Sequence, residues 1–349
     1  MKKYILFILM IVSILACTKT LDFDDEGLAN TLVFNGIIQS GDSFKASLNR
    51  SSSILSETYG NGMFAGGTIQ LYENGTLLST ASNQFGQFSL TDIKPKAGAN
   101  YRIVVNSENE TVEAQTTIPE KANVLSLDTA SIKDQNNYNY TIYKLKLKDQ
   151  GGDDYYRIFT TTENLTLQIN SADKVPRKYY LQKNENSILT DDPVFKSLYN
   201  NFGGETLDIG PENIYHIFPD DYFKGKEYSM QFRAYTTNFG NDYYYSNPTN
   251  PAIFQGKKNI YSRNVIHIQK LSKELYTYMK YLKLYDFYHD NPFAEPVPVY
   301  SNIKNGIGIF AGLNDEAQFS FQKTYVPYSM DTIKVEENLN GYNGGYYYH

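Results

Sequence analysis

Few residues in this chain have the types and spacing to do chemistry. Asp149 with Asp153 and Asp154, Asp191 with Asp192, and Asp220 with Asp221 place carboxylates in groups. Oxygen-rich loops of that kind hold calcium, and two carboxylates flanking a bond hydrolyse glycosides. None follows the order of an EF-hand loop, so each reads by default as a solvated turn acid. The four histidines, His216, His267, His289 and His349, lie in no H-E-x-x-H, and a single cysteine leaves no thiolate pair for zinc. His267 falls in an alternating run and reads as a hydrogen-bonded strand residue. Gly60-Asn61-Gly62-Met63-Phe64-Ala65 and Gly306-Ile307-Gly308-Ile309-Phe310-Ala311 both fit G-x-G-x-x-A. A dinucleotide site needs a strand before that turn and a helix after it, and neither run has the helix. The first reads as a hairpin or linking loop. The second alternates apolar residues with glycine and reads as a strand under close backbone contact. No G-x-S-x-G and no G-x-x-x-x-G-K-[ST] occurs. No catalytic residue, cofactor or metal site is assigned.

The lone thiol is Cys17. It cannot staple a fold, so its neighbours must explain it. Lys2 and Lys3 form a short positive region. Tyr4 to Leu15 is a mostly apolar run of 12 residues, where a membrane-spanning helix needs about 20. Ile14-Leu15-Ala16-Cys17 then puts a small residue before the cysteine. This is the layout of a secretory signal, and it resembles a bacterial lipobox. That chemistry alkylates the Cys17 sulfur with a diacylglyceryl group, cleaves after Ala16 and acylates the new N-terminus. Acyl chains contribute about 0.8 kcal/mol per buried methylene, and more than one chain makes anchoring stable. The expectation is a protein held at a membrane by lipid, with residues 1–16 removed and residues 17–30 serving as a tether. Asp22, Asp24, Asp25 and Glu26 make that tether acidic. Two readings of them stand: a signal for export to the cell surface, which the stretch loosely resembles, and a solvated linker. Extended, the tether reaches about 40 Å.

Without residues 1–16 the chain keeps 30 basic against 38 acidic residues, a formal charge of −8. That argues against a nucleic-acid partner, which needs a basic stripe, and against adsorption to anionic lipid. The 32 tyrosines and absent tryptophan fit strands. Tyrosine combines large area with a polar tip, so it either fills half-buried sheet faces or recognises a peptide or glycan.

The chain reads as mainly β. Residues 31–119 carry seven short alternating runs, "TLVFNGII", "SFKASLNRS", "TIQLYENG", "TLLSTAS", "GQFSL", "YRIVVNS" and "TVEAQTTI". Asn74-Gly75 supplies positive φ for a tight hairpin. This predicts an immunoglobulin-like or prealbumin-like β-sandwich. Residues 120–327 read as a second β-rich domain, with strands at "TIYKLKLKD", "YYRIFTTT", "LTLQIN", "KYYLQK", "EYSMQFRAYTT" and "NVIHIQKL", a short helix in "LTDDPVFKSLYNNFGG" and a turn in "FPDDYFKGKEY". One amphipathic helix is predicted over 272–289. Leu271, Leu275, Tyr278, Leu282, Tyr285 and His289 share its inner face, Ser272 is its N-cap with Glu274 in the first turn, and Pro292 forces Asn291 out of helical geometry. Residues 328–349 show no sustained period and read as a loosely ordered tail.

"NPFAEPVPVYSNIKNGIGIFAG", residues 291–312, is the most distinctive stretch. It reads as a rigid extended turn feeding a buried strand, with Asn302 and Asn305 satisfying backbone groups beside glycines free to take positive φ. It resembles the C-terminal signature of domain-of-unknown-function family 4249. "LVFNGII", "GTIQLYENG", "YRIVV", "AQTTIP", "FKGKEYSMQF" and "KELYTYMKYL" agree in order, over about residues 1–327. The resemblance implies an outer-membrane lipoprotein of Bacteroidota-type bacteria, often encoded beside TonB-dependent receptors with carboxypeptidase-regulatory-like plug extensions. It carries no catalytic residues to transfer. The function expected is a surface-facing, non-catalytic accessory or substrate-capturing partner of a TonB-dependent barrel, with a peptide or glycan as the possible ligand. The alternatives are a structural subunit of a larger outer-membrane assembly or adhesive layer, and a carboxylate-dependent glycan or peptide hydrolase.

Overall fold

The computed structural model describes residues 30–52, 63–64, 66–136, 138–170, 178–196, 213–235, 243–247, 250–289, 297–324 and 336–337. Cys17 with its leader and most of the tether, Gly60 to Gly62 and Ala65 of the first glycine motif, the Asn291-Pro292 stop, and His349 with most of the expected tail lie outside the described residues.

The first part contains β1 (Leu32–Gln39), β2 (Phe44–Arg50), β3 (Met63–Phe64), β4 (Thr68–Glu73), β5 (Thr76–Ser82), β6 (Gln87–Leu90), β7 (Asn100–Ser107) and β8 (Glu110–Thr117). All seven predicted runs are strands. The rest contains β9 (Val124–Lys133), β10 (Asn139–Lys148), β11 (Tyr155–Asn170), β12 (Lys178–Asn186), β13 (Ile188–Leu189), α1 (Pro193–Lys196), β14 (Ile217–Pro219), β15 (Glu227–Tyr235), β16 (Tyr243–Asn247), β17 (Asn250–Leu271), α2 (Lys273–Tyr288), β18 (Ile307–Thr324) and β19 (Glu336–Glu337). The fold is mainly β. "YYRIFTTT" and "LTLQIN" are one strand, β11, whose register against β17 shifts between Leu165 and Thr166. That bulge lets the chain continue where two separate strands were expected. Residues of the expected tail form β19, which pairs in parallel with β12.

One long sheet runs through both parts in the order β19-β12-β11-β17-β18-β1-β2-β3, with β14, β16 and β6 attached beside β11, β17 and β2. Two four-stranded sheets pack on it: β5-β4-β7-β8 and β13-β15-β10-β9. Alternation explains the first sandwich. Leu32, Phe34 and Ile38 of β1, with Phe44 and Leu48 of β2, face Ile69, Leu71, Tyr101, Ile103 and Val105 of the small sheet. Each such fully buried side chain contributes roughly 2 kcal/mol. Tyr143, Leu145, Leu147, Met230 and Phe232 of the other small sheet cover Tyr156, Ile158, Ile266 and Ile268 in the same way. Helix α2 lies on the opposite face of the long sheet, over Ile309, Ala311 and Leu313. The central strands β17 and β18 are thus covered on both faces. The stretch of β18 between two cores, IGIFAGL, is accordingly almost entirely apolar, whereas β17 stays mixed.

The residue-119 boundary separates the two small sheets but not the long one. Strand β18, expected in the second part, pairs in parallel with β1 from Val33↔Ile307 to Gln39↔Leu313. Gly308 permits this closeness: its φ is +115°, and a Cβ there would lie 2.0 Å from the Phe34 carbonyl oxygen. Asn302 acts as expected. Its side chain donates to the Phe310 carbonyl at 2.7 Å and accepts from the Phe310 amide at 2.9 Å. Asn305, itself at φ 61°, donates to Thr111 O at 3.3 Å.

Ser272 caps α2 as predicted, accepting from the Leu275 amide. The buried face is rotated from the predicted one. Leu275, Tyr276, Tyr278, Met279 and Leu284 are buried, while Tyr285 is 42% exposed. The helix meets a broad sheet surface rather than a narrow seam, so Tyr276 and Met279 join the inner face.

Candidate functional site

The long sheet brings two of the three acidic groups together. Asp149 follows β10, Asp154 precedes β11, and Asp220 follows β14, which pairs antiparallel with β11 from Tyr155↔Pro219 to Arg157↔Ile217. Asp149 Oδ2 accepts from the amides of Gly151 (2.8 Å) and Gly225 (2.7 Å), and its Oδ1 accepts from the Tyr156 hydroxyl at 3.2 Å. Lys270 of β17, itself buried, donates to Asp154 Oδ2 at 2.6 Å. Asp153 pairs with Lys224. Burial alone would raise the Asp149 carboxyl, but the Gly225 and Gly151 amides and a hydrogen bond from Asp154 hold it below the usual carboxylate range. Burial, opposed by Lys270, keeps Asp154 above that range, and burial likewise raises Asp220.

Asp149, Asp154 and Asp220 are therefore not the solvated turn acids the sequence predicted. Asp149 is 1% and Asp220 3% exposed, because β14 and the turn after it fold back over the end of β11. One carboxyl lowered and a neighbour raised is the split acid–base catalysis uses. The Asp149 oxygens are already taken by the Gly151 and Gly225 amides and the Tyr156 hydroxyl. Among the described residues no group of three or more His, Cys, Asp or Glu could hold a metal ion. The cluster joins the second small sheet to the long sheet. Asp192 is likewise structural: it accepts from the Val194 amide (3.1 Å) and the Tyr228 hydroxyl (2.7 Å), which anchors α1. Asp191 sits beside Lys196 at 3.8 Å on the surface.

The three histidines among the described residues have partners. His267 stacks on Phe159 with 4.6 Å between ring centroids, its Nδ1 lies 2.7 Å from Asp315 Oδ2, and its Nε2 lies 3.0 Å from Thr161 Oγ1. It is the hydrogen-bonded strand residue predicted. His216 is buried against Phe195, with Nε2 3.0 Å from the Ile188 carbonyl, and burial pushes it down to about 4. His289 closes α2, its Nδ1 2.8 Å from Asp286 O.

The surface feature that sequence reasoning missed lies on the outer face of the sheet β13-β15-β10-β9. Tyr143, Leu145 and Leu147 point inward, so Tyr140, Ile142, Lys144, Lys146 and Lys148 point outward by alternation. The pairings Tyr140↔Tyr235 and Ile142↔Arg233 put two more large side chains beside them. Tyr140 and Tyr235 have ring centroids 4.4 Å apart, and Tyr138 meets Tyr235 edge-on at 6.3 Å. Arg233 lies 5.3 Å from the centre of the Tyr140 ring. Asp134 fixes the adjoining turn by accepting from the amides of Asn136 (2.9 Å) and Tyr138 (2.8 Å). A hydrogen bond with Tyr235, then burial, pushes the Tyr140 hydroxyl up to about 12. Tyr138 is 57% and Tyr235 45% exposed. The result is an aromatic and guanidinium platform at the head of a lysine-bearing face. Such a surface stacks on apolar ring faces and donates hydrogen bonds. The alternation of "YNYTIYKLKLK" pointed to its first half. Its second half, 93 residues further on, depends on strand register.

Among the described residues no helix is long and apolar enough to cross a membrane. No curated protein matches the chain. A solved structure from Corynebacterium diphtheriae, of a protein assigned as membrane anchored, aligns over 69% of this chain and 55% of its own at 9% identity, with a TM-score of 0.19. This chain thus spans about half of that one, and a likeness so slight carries no argument. The model of the domain of unknown function DUF4249 matches residues 18–318, from just after the lone cysteine to well within β18. The chain belongs to the DUF4249 family.

Proposed function

We propose that this protein is a lipid-anchored, non-catalytic binding protein of an outer membrane, facing the cell surface, which captures a peptide or glycan for a TonB-dependent transporter. The observation that carries the reading is the platform of exposed Tyr138, Tyr235 and Arg233 packed over the buried Tyr140 ring. Two phenols and a guanidinium left on the surface, around a third phenol that they cover, cost rotamer freedom there. Tyrosine and arginine are the residues that anchor ligands most often. The sequence Ile14-Leu15-Ala16-Cys17 supports the lipid anchor, and the setting implied by the family resemblance supports the transporter. The buried Asp149 carboxylate, both of whose oxygens are hydrogen-bonded inside the fold, favours binding over hydrolysis.

A second reading, a structural subunit of a larger envelope assembly, draws on β9. This strand of 10 residues is an edge of its sheet, and most of its side chains are exposed. Such an edge accepts a strand from another chain.

Affinity purification of the lipidated chain from outer membranes tests the leading reading. Co-purification of a TonB-dependent barrel, with a nutrient-specific growth defect on depletion, is the expected result. Recovery of no barrel protein, with a general envelope defect, would favour assembly instead.

A further inference from the structure

The first sandwich contains two hairpins with nearly the same backbone. Asn74 and Gly75 join β4 to β5 at φ 48° and 84°. Phe85 and Gly86 join the residues before β6 at φ 48° and 75°, closed by reciprocal hydrogen bonds of 2.9 Å between Gln84 and Gln87. Two-residue turns with positive φ at both positions select Asn-Gly, as the first does. A bulky side chain in this left-handed region is a true outlier. At the second turn a phenylalanine takes the asparagine place and is 84% exposed. It gives nothing to the core and strains the turn, which is the pattern from which function is inferred.

Position decides what the ring meets. The Asn74-Gly75 turn lies at the far end of the sandwich, with Asn74 N donating to Asn100 O at 2.8 Å. The Phe85-Gly86 turn lies at the end where the chain enters. Leu48 N donates to Gly86 O (2.8 Å), Leu32 pairs with Arg50, and Asn30 N donates to Ser51 O (2.9 Å). Strand spacings put Phe85 on the order of 10–15 Å from Asn30. The 13 residues from Cys17 to Ala29 precede that point. A tether of about 40 Å at full extension joins the sandwich at this end, which therefore lies nearer the anchoring bilayer on average than the other. The acids at this end, Glu108 and Glu110, lie 3.5 and 2.6 Å from Arg50, which offsets part of their charge.

We infer that the Phe85 hairpin is a membrane contact: its ring inserts into the interfacial region of the lipid surface that holds Cys17 and orients the protein on it. The inference rests on the anchor reading above. The chain has no tryptophan, so Phe85→Trp makes a sole indole at the contact. The test uses the full lipidated chain, reconstituted into vesicles of phosphatidylcholine and phosphatidylethanolamine with acyl chains brominated near the headgroup. Interfacial side chains sit ~5–10 Å deep, where the bromines are. The expected result is a blue-shifted emission and a roughly twofold loss of intensity relative to unbrominated vesicles. Phe85→Asn should raise the melting temperature in detergent by relieving the turn. If the chain does not float with the vesicles, the anchor fails and this contact fails with it. If it floats while the indole emits as in buffer and is unquenched, the anchor stands and the contact is overturned. A lower melting temperature for Phe85→Asn would show that the ring serves the fold and would overturn it also.

Discussion

Gly308→Ala probes the joint between the two parts of the chain. A Cβ at this position would meet the Phe34 carbonyl oxygen at 2.0 Å and Asn35 Oδ1 at 2.9 Å. The first contact is with backbone, so no side-chain rotation relieves it. The φ of +115° adds strain of about 1–3 kcal/mol for any side chain, and forced overpacking adds about 1–3 kcal/mol. The sum, about 4 kcal/mol, is a large share of the ~5–15 kcal/mol by which proteins are stable. A chain of this size unfolds with an entropy of about 0.7 kcal/mol per kelvin, so the melting temperature should fall by about 6 °C. Thermal unfolding followed by circular dichroism measures it. Gly41→Ala is the control: φ there is +78°, but nothing lies within 4 Å of the added atom. It should cost only the conformational term, about 1 kcal/mol. If Gly308→Ala lowers the melting temperature no more than Gly41→Ala, the close parallel approach of β1 and β18 is wrong.

Three further outcomes follow from the same geometry. His216 is held down to about 4 by burial against an ordinary value near 6.5. The unfolded chain therefore binds the proton first. Its contribution is fully present above about pH 6.5 and is lost as the pH falls through about 4, up to about 3 kcal/mol. His216→Asn, which tolerates the same positive φ, should flatten denaturant midpoints across that window. Lys270→Met leaves the partly buried Asp154 beside Asp149 without its cation and should cost about 3 kcal/mol, the low end for a buried pair. The loss should grow as the pH rises above the carboxylate range, because Asp154 must then ionise unpaired; urea midpoints at several pH values read it. Ser272→Ala removes an acceptor from both Leu275 N (3.3 Å) and Gly312 N (3.2 Å). It should cost about 1–2 kcal/mol, seen in the urea midpoint with an unchanged slope.

Local structure was legible in the chain and long-range pairing was not. Alternation located seven of the eight strands of the first part, most of which have one face buried and the other wet; the two-residue β3 was read as a hairpin or linking loop. The Ser272 cap and the Asn302 bonds were readable because each depends on residues close in sequence; the glycine alternation marked the Gly308 strand as closely approached, but not Phe34 as what it meets. The parallel β1–β18 pair was not, since two runs some 270 residues apart carry no mark of each other. The same limit hid the Tyr138, Tyr140, Tyr235 and Arg233 platform and misjudged the acids. Asp149, Asp154 and Asp220 sit in turns, and turns are usually solvated. The fold-back of β14 onto β11 buried them, and nothing local to those turns announced it.

The central claim is that an acylated sulfur places this protein on a membrane. Mass spectrometry of the N-terminal peptide, prepared from membranes of the producing cell, tests it most directly. The account predicts a chain that begins at Cys17 and carries a thioether-linked diacylglyceryl group with a further acyl chain on the amine. A free thiol at Cys17 on a chain that still fractionates with membranes would contradict it.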